Sequence, residues 1–181
     1  MRTWASSHLA RFAGTMILAY GAWFVLYDLW ILPDGRLDEA LSLFVASATG
    51  ALVGLGSEAV VADGRVVWLG QQGIEVANGC NGLSTLSLFV GFVLAYPGAW
   101  RRRALFVPFG LAVLVAANIV RCVVLLVLLN QRPEWFDAAH SEHSVWVFYA
   151  VVFGLWVLWT HVGDRPAEAE RVVPAARVEA A

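Results

Sequence analysis

The sequence is poor in charged residues and contains no lysine. Of its 181 residues, 14% are charged and 60% are hydrophobic. A soluble domain of this length would carry roughly a quarter charged residues. The shortage of charge therefore excludes an ordinary soluble domain and predicts an integral membrane protein built as one domain.

Two further shortages restrict the function. The net charge is -2, and no basic patch interleaved with aromatic residues is present in a polar segment, so we expect no nucleic-acid partner. The only cysteines are Cys80 and Cys122, which excludes a disulfide framework. Cys122 lies inside one apolar run and Cys80 borders another, so a bond between them would require contact between two helices.

Four apolar runs predict about four transmembrane helices, at residues 12–32, 81–96, 104–129 and 144–162. The first run follows Arg2 and Arg11 and has no small-residue cleavage site after it. We therefore predict a retained helix rather than a signal peptide. The predicted domains are a membrane domain over residues 1–163 and a disordered cytoplasmic tail over 164–181.

Residues 40–56 form a shorter apolar segment that is rich in small residues. If this segment crossed the membrane, the arginines at 101–103 would lie on the opposite side from Arg2 and Arg11. Arginines near membrane helices favour the cytoplasmic side, so we predict an interfacial or re-entrant helix on the outer side. Both chain termini are then cytoplasmic.

Residues 60–69 contain two β-prone runs around Asp63-Gly64, a pair typical of a two-residue hairpin. Residues 74–76 are a candidate third strand. The predicted fold class is therefore an all-α integral membrane protein with about four transmembrane helices, an interfacial or re-entrant helix and a small external β-hairpin. The hairpin leads directly into Cys80 and would fix its position.

Cys80 lies in the glycine-rich segment Asn78-Gly79-Cys80-Asn81-Gly82, where the apolar run at 81–96 begins. Asn78 or Asn81 is a candidate cap for the helix that follows. Unpaired N–H groups at a helix N-terminus favour the thiolate, which is the nucleophilic form of cysteine. The segment predicts a reactive thiol, and a small buried packing residue is the alternative.

Arg121 lies inside the apolar run at 104–129. Inserting an arginine there costs about 2.5–3.5 kcal/mol, and ionisable residues inside membrane helices usually serve a function. Its long side chain can extend towards Cys80, and Asn118 lies on the same helical face. The alternative is a structural arginine that extends to the interface or pairs with a carboxylate such as Asp28.

The predicted topology leaves two of the four histidines, His140 and His143, on the side of Cys80. An imidazole, whose unperturbed pKa is about 6.5, can accept the thiol proton and return it to a leaving group. His143 is favoured because it begins the last helix and so has a rigid support. Each histidine is also compatible with a solvated loop position.

Three segments, in this order, resemble the exosortase/archaeosortase family of membrane cysteine transpeptidases. They are the Cys80-Asn81-Gly82-Leu83 segment at a helix start, Asn118-Ile119-Val120-Arg121 within the next span, and His143-Ser144-Val145-Trp146 at the last span. The resemblance extends over about residues 40–159. The chain differs from the family in having Asn81 where serine is commoner and in having fewer spans than many members.

The resemblance implies that Cys80 is the nucleophile, that Arg121 stabilises the thiolate or oxyanion, and that His143 is the acid/base. His140, Asn118, Asn78 and Asn81 would support them. The implied substrate is a membrane-anchored protein with a C-terminal sorting tail, made of a motif, a membrane helix and a basic end. The tail would be cleaved on the external face of the inner membrane, and an acceptor amine or water would complete the reaction. We expect no cofactor and no metal.

Two other functions are compatible with the same residues. In a non-enzymatic membrane assembly or scaffold protein, Arg121 would pair within a complex and Cys80 would only pack. In a thiol oxidoreductase, Cys80 and Cys122 would have to approach each other from different helices.

Overall fold

The fold is given by a computed structural model of the protein that describes residues 2–57, 59–140 and 144–163. Five helices form most of it: α1 (Arg2–Leu26), α2 (Arg36–Gly54), α3 (Leu83–Ala95), α4 (Trp100–Gln131) and α5 (Ser144–Gly163). A π-helical segment (Tyr27–Ile31) and a short helix (Leu32–Asp34) continue α1, and short helices at Pro133–Trp135 and Phe136–Ala138 follow α4. The predicted tail at 164–181 lies outside the described residues.

The central helix is α4, which packs against α2, α3, α5 and a small β-sheet. Its first half joins α3 and α5 in one hydrophobic core, to which Phe106, Phe89 and Trp159 contribute. Its second half joins α2 and the sheet in another core, to which Ile119 and Leu126 contribute. We call the two ends of the molecule the arginine half and the cysteine half, after the arginines at 101–103 and Cys80.

In the arginine half, two arginines of α4 bind the carbonyl ends of neighbouring helices. Arg102 Nη1 donates to the Val162 carbonyl at 2.8 Å, and Arg103 Nη2 donates to the Tyr96 carbonyl at 2.9 Å. Cations at helix C-termini complement the helix dipole. Phe12 of α1 packs against Phe92 in the same region, with ring centroids 5.7 Å apart. The start of α4, the ends of α3 and α5 and the first part of α1 therefore meet at one end of the molecule.

The helix α3 is shorter than the span predicted at 81–96. It has 13 residues and is about 20 Å long. It begins at Leu83 because Gly82, with a φ of 89°, has a left-handed conformation. It ends before Tyr96, which has an extended backbone conformation with a ψ of 139°, as is usual for a residue that precedes proline. The extended residues 96–99 complete the path to α4.

Both ends of α2 lie in the cysteine half. Asp38, in its first turn, accepts a hydrogen bond from Asn81, and Gly50, near its end, lies against Ala62 and Val67 of the sheet. The 19 residues of α2 are long and apolar enough to cross a membrane. These contacts place both ends of α2 in the cysteine half, and the interfacial or re-entrant position of the helix stays a prediction.

The sheet has three antiparallel strands in the order β1 (Val60–Asp63), β2 (Val66–Leu69) and β3 (Gln72–Glu75). Asp63 pairs with Val66, so a two-residue loop begins at Gly64, whose φ of 58° suits the turn. Leu69 pairs with Gln72 and closes a second two-residue loop. The predicted hairpin is confirmed, and the candidate third strand forms over Gln72–Glu75 instead of 74–76.

Within the described residues, four helical segments are long and apolar enough to cross a membrane: Ala10–Asp34, Arg36–Gly54, Trp100–Gln131 and Trp146–Gly163. With α3 as a shorter apolar helix and the small sheet, this confirms the predicted all-α membrane fold. The predicted number of about four membrane-spanning helices is right. The sequence had counted the α3 segment among the four, whereas in the structure α2 is long enough to cross a membrane and α3 is not.

The close packing of α3 on α4 provides a test of the fold. A Cβ added at Gly110 would overlap the ring of Phe89, which is fully buried, so Gly110→Ala is expected to destabilise the protein by about 1–3 kcal/mol. Thermal unfolding of the detergent-solubilised protein measures the effect. The control is Gly154→Ala in α5, where nothing lies within 4 Å of the added Cβ. Equal melting temperatures for the two variants would contradict this packing.

Candidate active site

Cys80 lies in a tight turn between β3 and α3. Its N–H and that of Asn81 both donate to the Ala77 carbonyl, at 2.8 and 3.1 Å. The first helical residue is Leu83, because the left-handed Gly82 interrupts the helix. The sequence had suggested that Cys80 lies at the start of the helix. In the structure Cys80 precedes the helix by three residues and does not lie in its first turn. Its side chain is half-buried and its thiol is free.

The two asparagines beside Cys80 have different roles. The Asn81 side chain is buried, and its Oδ1 accepts the N–H of Leu83, the first residue of α3, at 3.0 Å. The Asn78 side chain instead accepts a hydrogen bond from Arg65. The N-cap residue of α3 is Gly82, so the prediction that an asparagine is the N-cap is wrong, although Asn81 satisfies the first N–H of the helix from the preceding position.

Arg65, in the loop between β1 and β2, braces the segment that leads to Cys80. Its Nε and Nη2 donate to the Val76 carbonyl at 3.2 and 3.1 Å, and its Nη1 lies 3.3 Å from Glu39 Oε2 of α2. Arg65 is not among the site residues that the sequence predicts. Its position after Asp-Gly indicates only a turn, and no local pattern predicts contacts to residues 11 positions later in the chain.

Asn118 connects the Cys80 turn to Arg121. Its Nδ2 donates to the Cys80 carbonyl at 2.9 Å, and its Oδ1 accepts from Arg121 Nη1 at 3.4 Å. Asn118 is 1% exposed, so both contacts lie inside the protein. Among the described residues, Arg121 has no carboxylate within ion-pair distance, and the proposed partner Asp28 is exposed. The structure thus brings three predicted site residues, Cys80, Asn118 and Arg121, together.

A cavity of about 210 Å³ lies beside these residues. Cys80, Arg121 and His140 line it, and Glu75 of β3 adds a carboxylate. The rest of the lining is mostly apolar and includes Leu125 and Phe136. One cavity therefore has Cys80, Arg121 and a histidine in its lining, but that histidine is His140 and not the favoured His143.

The imidazole on this cavity belongs to His140. Its ring stacks on Phe136, with centroids 5.6 Å apart and an interplanar angle of 15°, in the short helical segment after α4. His143, the histidine that the sequence favoured, lies outside the described residues. The geometry therefore supports His140 directly, and the prediction for His143 stays a prediction.

Cys122 lines the same cavity as Cys80. It is 4% exposed, and both thiols are free. The two cysteines come from different segments, as the sequence required, and they share one cavity. Their common location makes Cys122 the natural internal control for experiments on Cys80.

A comparison with protein families gives a match for most of the chain. The family model described as transmembrane exosortase matches residues 5–159, which include all the helices that build the cavity. The chain belongs to the transmembrane exosortase family. No curated protein and no solved structure matches it significantly.

Membership in this family gives the protein a general role. An exosortase is a membrane transpeptidase that sorts membrane-anchored proteins. The match and the apolar helices together make this exosortase a multi-pass membrane protein. The match spans the segments of Cys80, Arg121 and His140, so the residues that line the cavity lie within the matched range.

Proposed function

We propose that this exosortase cleaves the C-terminal sorting tail of exported proteins by cysteine-dependent acyl transfer. The observation that carries the proposal is the cavity lined by Cys80, Arg121 and His140. A nucleophile, an electrostatic stabiliser and a proton carrier are the groups that acyl transfer through a thioester requires.

In the proposed reaction, the Cys80 thiolate attacks the carbonyl carbon of the scissile peptide bond. A C–S bond forms, and the C–N bond to the tail breaks when an imidazolium donates a proton to the leaving amine. The remaining thioester is then attacked by water or by an acceptor amine. This second attack restores the thiol and releases either a carboxylate or a new amide.

Arg121 is the cationic group on the cavity and would stabilise the developing oxyanion. Its Nη1 donates to Asn118, which fixes the guanidinium beside the Cys80 turn. A fixed positive group in the protein interior stabilises negative charge more strongly than it would in bulk water.

The proposed orientation puts the cavity at the external face of the inner membrane and both termini in the cytoplasm. The arginines at 101–103 would mark the cytoplasmic interface. Arg121 follows Arg103 by 18 residues, which is about 27 Å of helix and close to the roughly 30 Å of a hydrocarbon core. A scissile bond just outside the membrane would therefore lie level with Cys80.

A second cavity suggests where the membrane helix of the tail binds. It has a volume of about 220 Å³ and lies between α4 and α5, with a lining that is apolar except for Arg121. Arg121 and Leu125 also line the Cys80 cavity, so the two cavities adjoin. A side chain of that helix inserted there would hold the preceding motif beside Cys80, which is the proximity that acyl transfer needs.

The proposed function is tested with a reporter that ends in a tripartite tail from a protein of the same genome. The reporter is expressed with and without the exosortase, and mass spectrometry identifies its C-terminus. We expect a new C-terminus upstream of the membrane helix only when the exosortase is present. A reporter that keeps its complete tail in both strains would contradict the proposal.

Separate variants of the two histidines identify the acid/base. We expect His140→Ala to lower the processing rate by about 10²-fold, the lower end for loss of a general acid/base. His143→Ala is the matched comparison, because His143 is the second candidate for the role. A large loss for His143→Ala with normal processing by His140→Ala would transfer the role to His143.

A further inference from the structure

Asp38 is a buried carboxylate in a position where acidic residues are usually exposed. It lies in the first turn of α2, where a negative charge complements the helix dipole. The next residue, Glu39, also lies in that turn, but 49% of its side chain is exposed and it pairs with Arg65. Asp38 is only 1% exposed. Its burial therefore needs an explanation other than the helix dipole.

The side chain of Asp38 is directed at the residue next to Cys80. Its Oδ1 accepts a hydrogen bond from Asn81 Nδ2 at 2.7 Å, and the same amide group lies 3.4 Å from the Asp38 carbonyl and 3.5 Å from Ser42 Oγ. The Oδ1 of Asn81 meanwhile accepts the N–H of Leu83. Asn81 thus joins the start of α2 to the start of α3, across 43 positions of the chain.

Stability alone does not account for this carboxylate. The second oxygen, Asp38 Oδ2, is buried without a well-formed hydrogen bond among the described residues, and the Tyr27 hydroxyl is a donor that lies beside the carboxylate. Such an oxygen costs free energy, and an apolar side chain of similar size would usually fill the site at lower cost. Tyr27, the first residue of the π-helical segment, also lies beside Asp38, so three segments of the chain meet at this group.

We propose that Asp38 is a positioning residue that orients Cys80 through Asn81. By holding the Asn81 amide, it fixes the turn at residues 77–82 against α2, while Asn118 holds the same turn against α4. The thiol is then fixed between two helices. The functional part of this inference depends on the proposed role of Cys80, whereas the effect on the turn does not.

Hydrogen exchange of the full-length protein in lipid nanodiscs tests the inference without any substrate. The amides of Cys80, Asn81 and Leu83 are all hydrogen-bonded within the turn or its cap. We expect Asp38→Leu to accelerate their exchange at least about tenfold, as expected when a hydrogen bond that closes a local structure is lost. Asp38→Asn keeps an acceptor oxygen and should restore slow exchange.

The matched control is Asp34→Leu, which makes the same change at a carboxylate whose side chain is 44% exposed, four positions before Asp38. It should leave exchange in the turn unchanged. If Asp38→Leu does not accumulate, Asp38→Ala removes the acceptor without added bulk and should give the same acceleration. Unchanged exchange in the turn, or an equal increase throughout the protein, would overturn the inference.

The same variants separate a positioning role from a general loss of fold in the processing assay. With the tail-bearing reporter, Asp38→Leu should lower kcat and leave KM unchanged, because the substrate would still bind. Asp38→Asn should recover most of kcat. A rise in KM alone would overturn the positioning role, and failure of every variant and the parent to process the reporter would refute the proposed function but leave the exchange result intact.

Discussion

Replacing Cys80 with alanine is expected to reduce tail processing to background, a loss of at least about 10³-fold, because the substitution removes the sulfur that forms the proposed acyl intermediate. Cys80 is half-buried in a turn held by backbone hydrogen bonds, so removing one sulfur atom should leave the fold intact. The measurement is the fraction of reporter with a shortened C-terminus, normalised to the amount of exosortase in the membrane.

Cys122→Ala is the matched control for this experiment. Cys122 lines the same cavity and is also a free thiol, so the control removes an equal group at the same site. It should retain most of the processing activity. Substantial processing by Cys80→Ala would exclude Cys80 as the nucleophile, and loss of activity in Cys122→Ala alone would favour thiol–disulfide chemistry instead.

The Arg121→Leu variant is expected to lose about 10²–10³-fold in processing rate, as when one oxyanion donor is removed. Leucine is less costly than arginine inside a membrane helix, so the substitution should favour insertion of α4. A loss of activity would then not be attributable to failed insertion. Processing rates at several reporter concentrations would separate an effect on kcat from one on KM.

Two controls accompany Arg121→Leu. Arg121→Lys keeps the positive charge but loses the planar fork of donors, so we expect intermediate activity. Arg132→Leu removes an arginine whose side chain is 71% exposed, just beyond the end of α4, and should be neutral. Full activity in Arg121→Leu would show that the guanidinium has only a structural role.

Much of the fold was predictable because it depends on local composition. The apolar runs gave α4 and α5 with small errors at their ends, and α1 with a start ten residues too late, and Asp63-Gly64 correctly indicated the hairpin. The length of α3 was harder to predict from the sequence. Its apolar run continues to Tyr96, but the backbone conformations of Gly82 and Tyr96, not hydrophobicity, determine where the helix begins and ends.

The site was predictable only in part. Cys80, Asn118 and Arg121 were identified because each is unusual within an apolar sequence, and helical periodicity put the last two on one face. Asp38 and Arg65 were missed, because their contacts join segments that are distant in the chain and carry no periodic pattern. For residues of this kind, the sequence indicates only a polar segment, and the structure is needed to show which residues they contact.

The structure explains how a short turn can hold the Cys80 thiol at a fixed position. Backbone hydrogen bonds close the turn on Ala77, Arg65 binds the segment before it, and Asn81 accepts the first N–H of the helix after it. Asn118 holds the Cys80 carbonyl from α4. Because these contacts come from different elements, the position of the thiol depends on the whole cysteine half of the molecule.

The most direct test of the central claim is to run the processing reaction in the presence of hydroxylamine. A thioester on Cys80 would be intercepted by this strong nucleophile, so we expect reporter molecules that end in a hydroxamic acid, in an amount that rises with hydroxylamine concentration. Mass spectrometry distinguishes this product from the carboxylate formed by water. Processing that yields no hydroxamate at any hydroxylamine concentration, and that continues in Cys80→Ala, would contradict acyl transfer through Cys80.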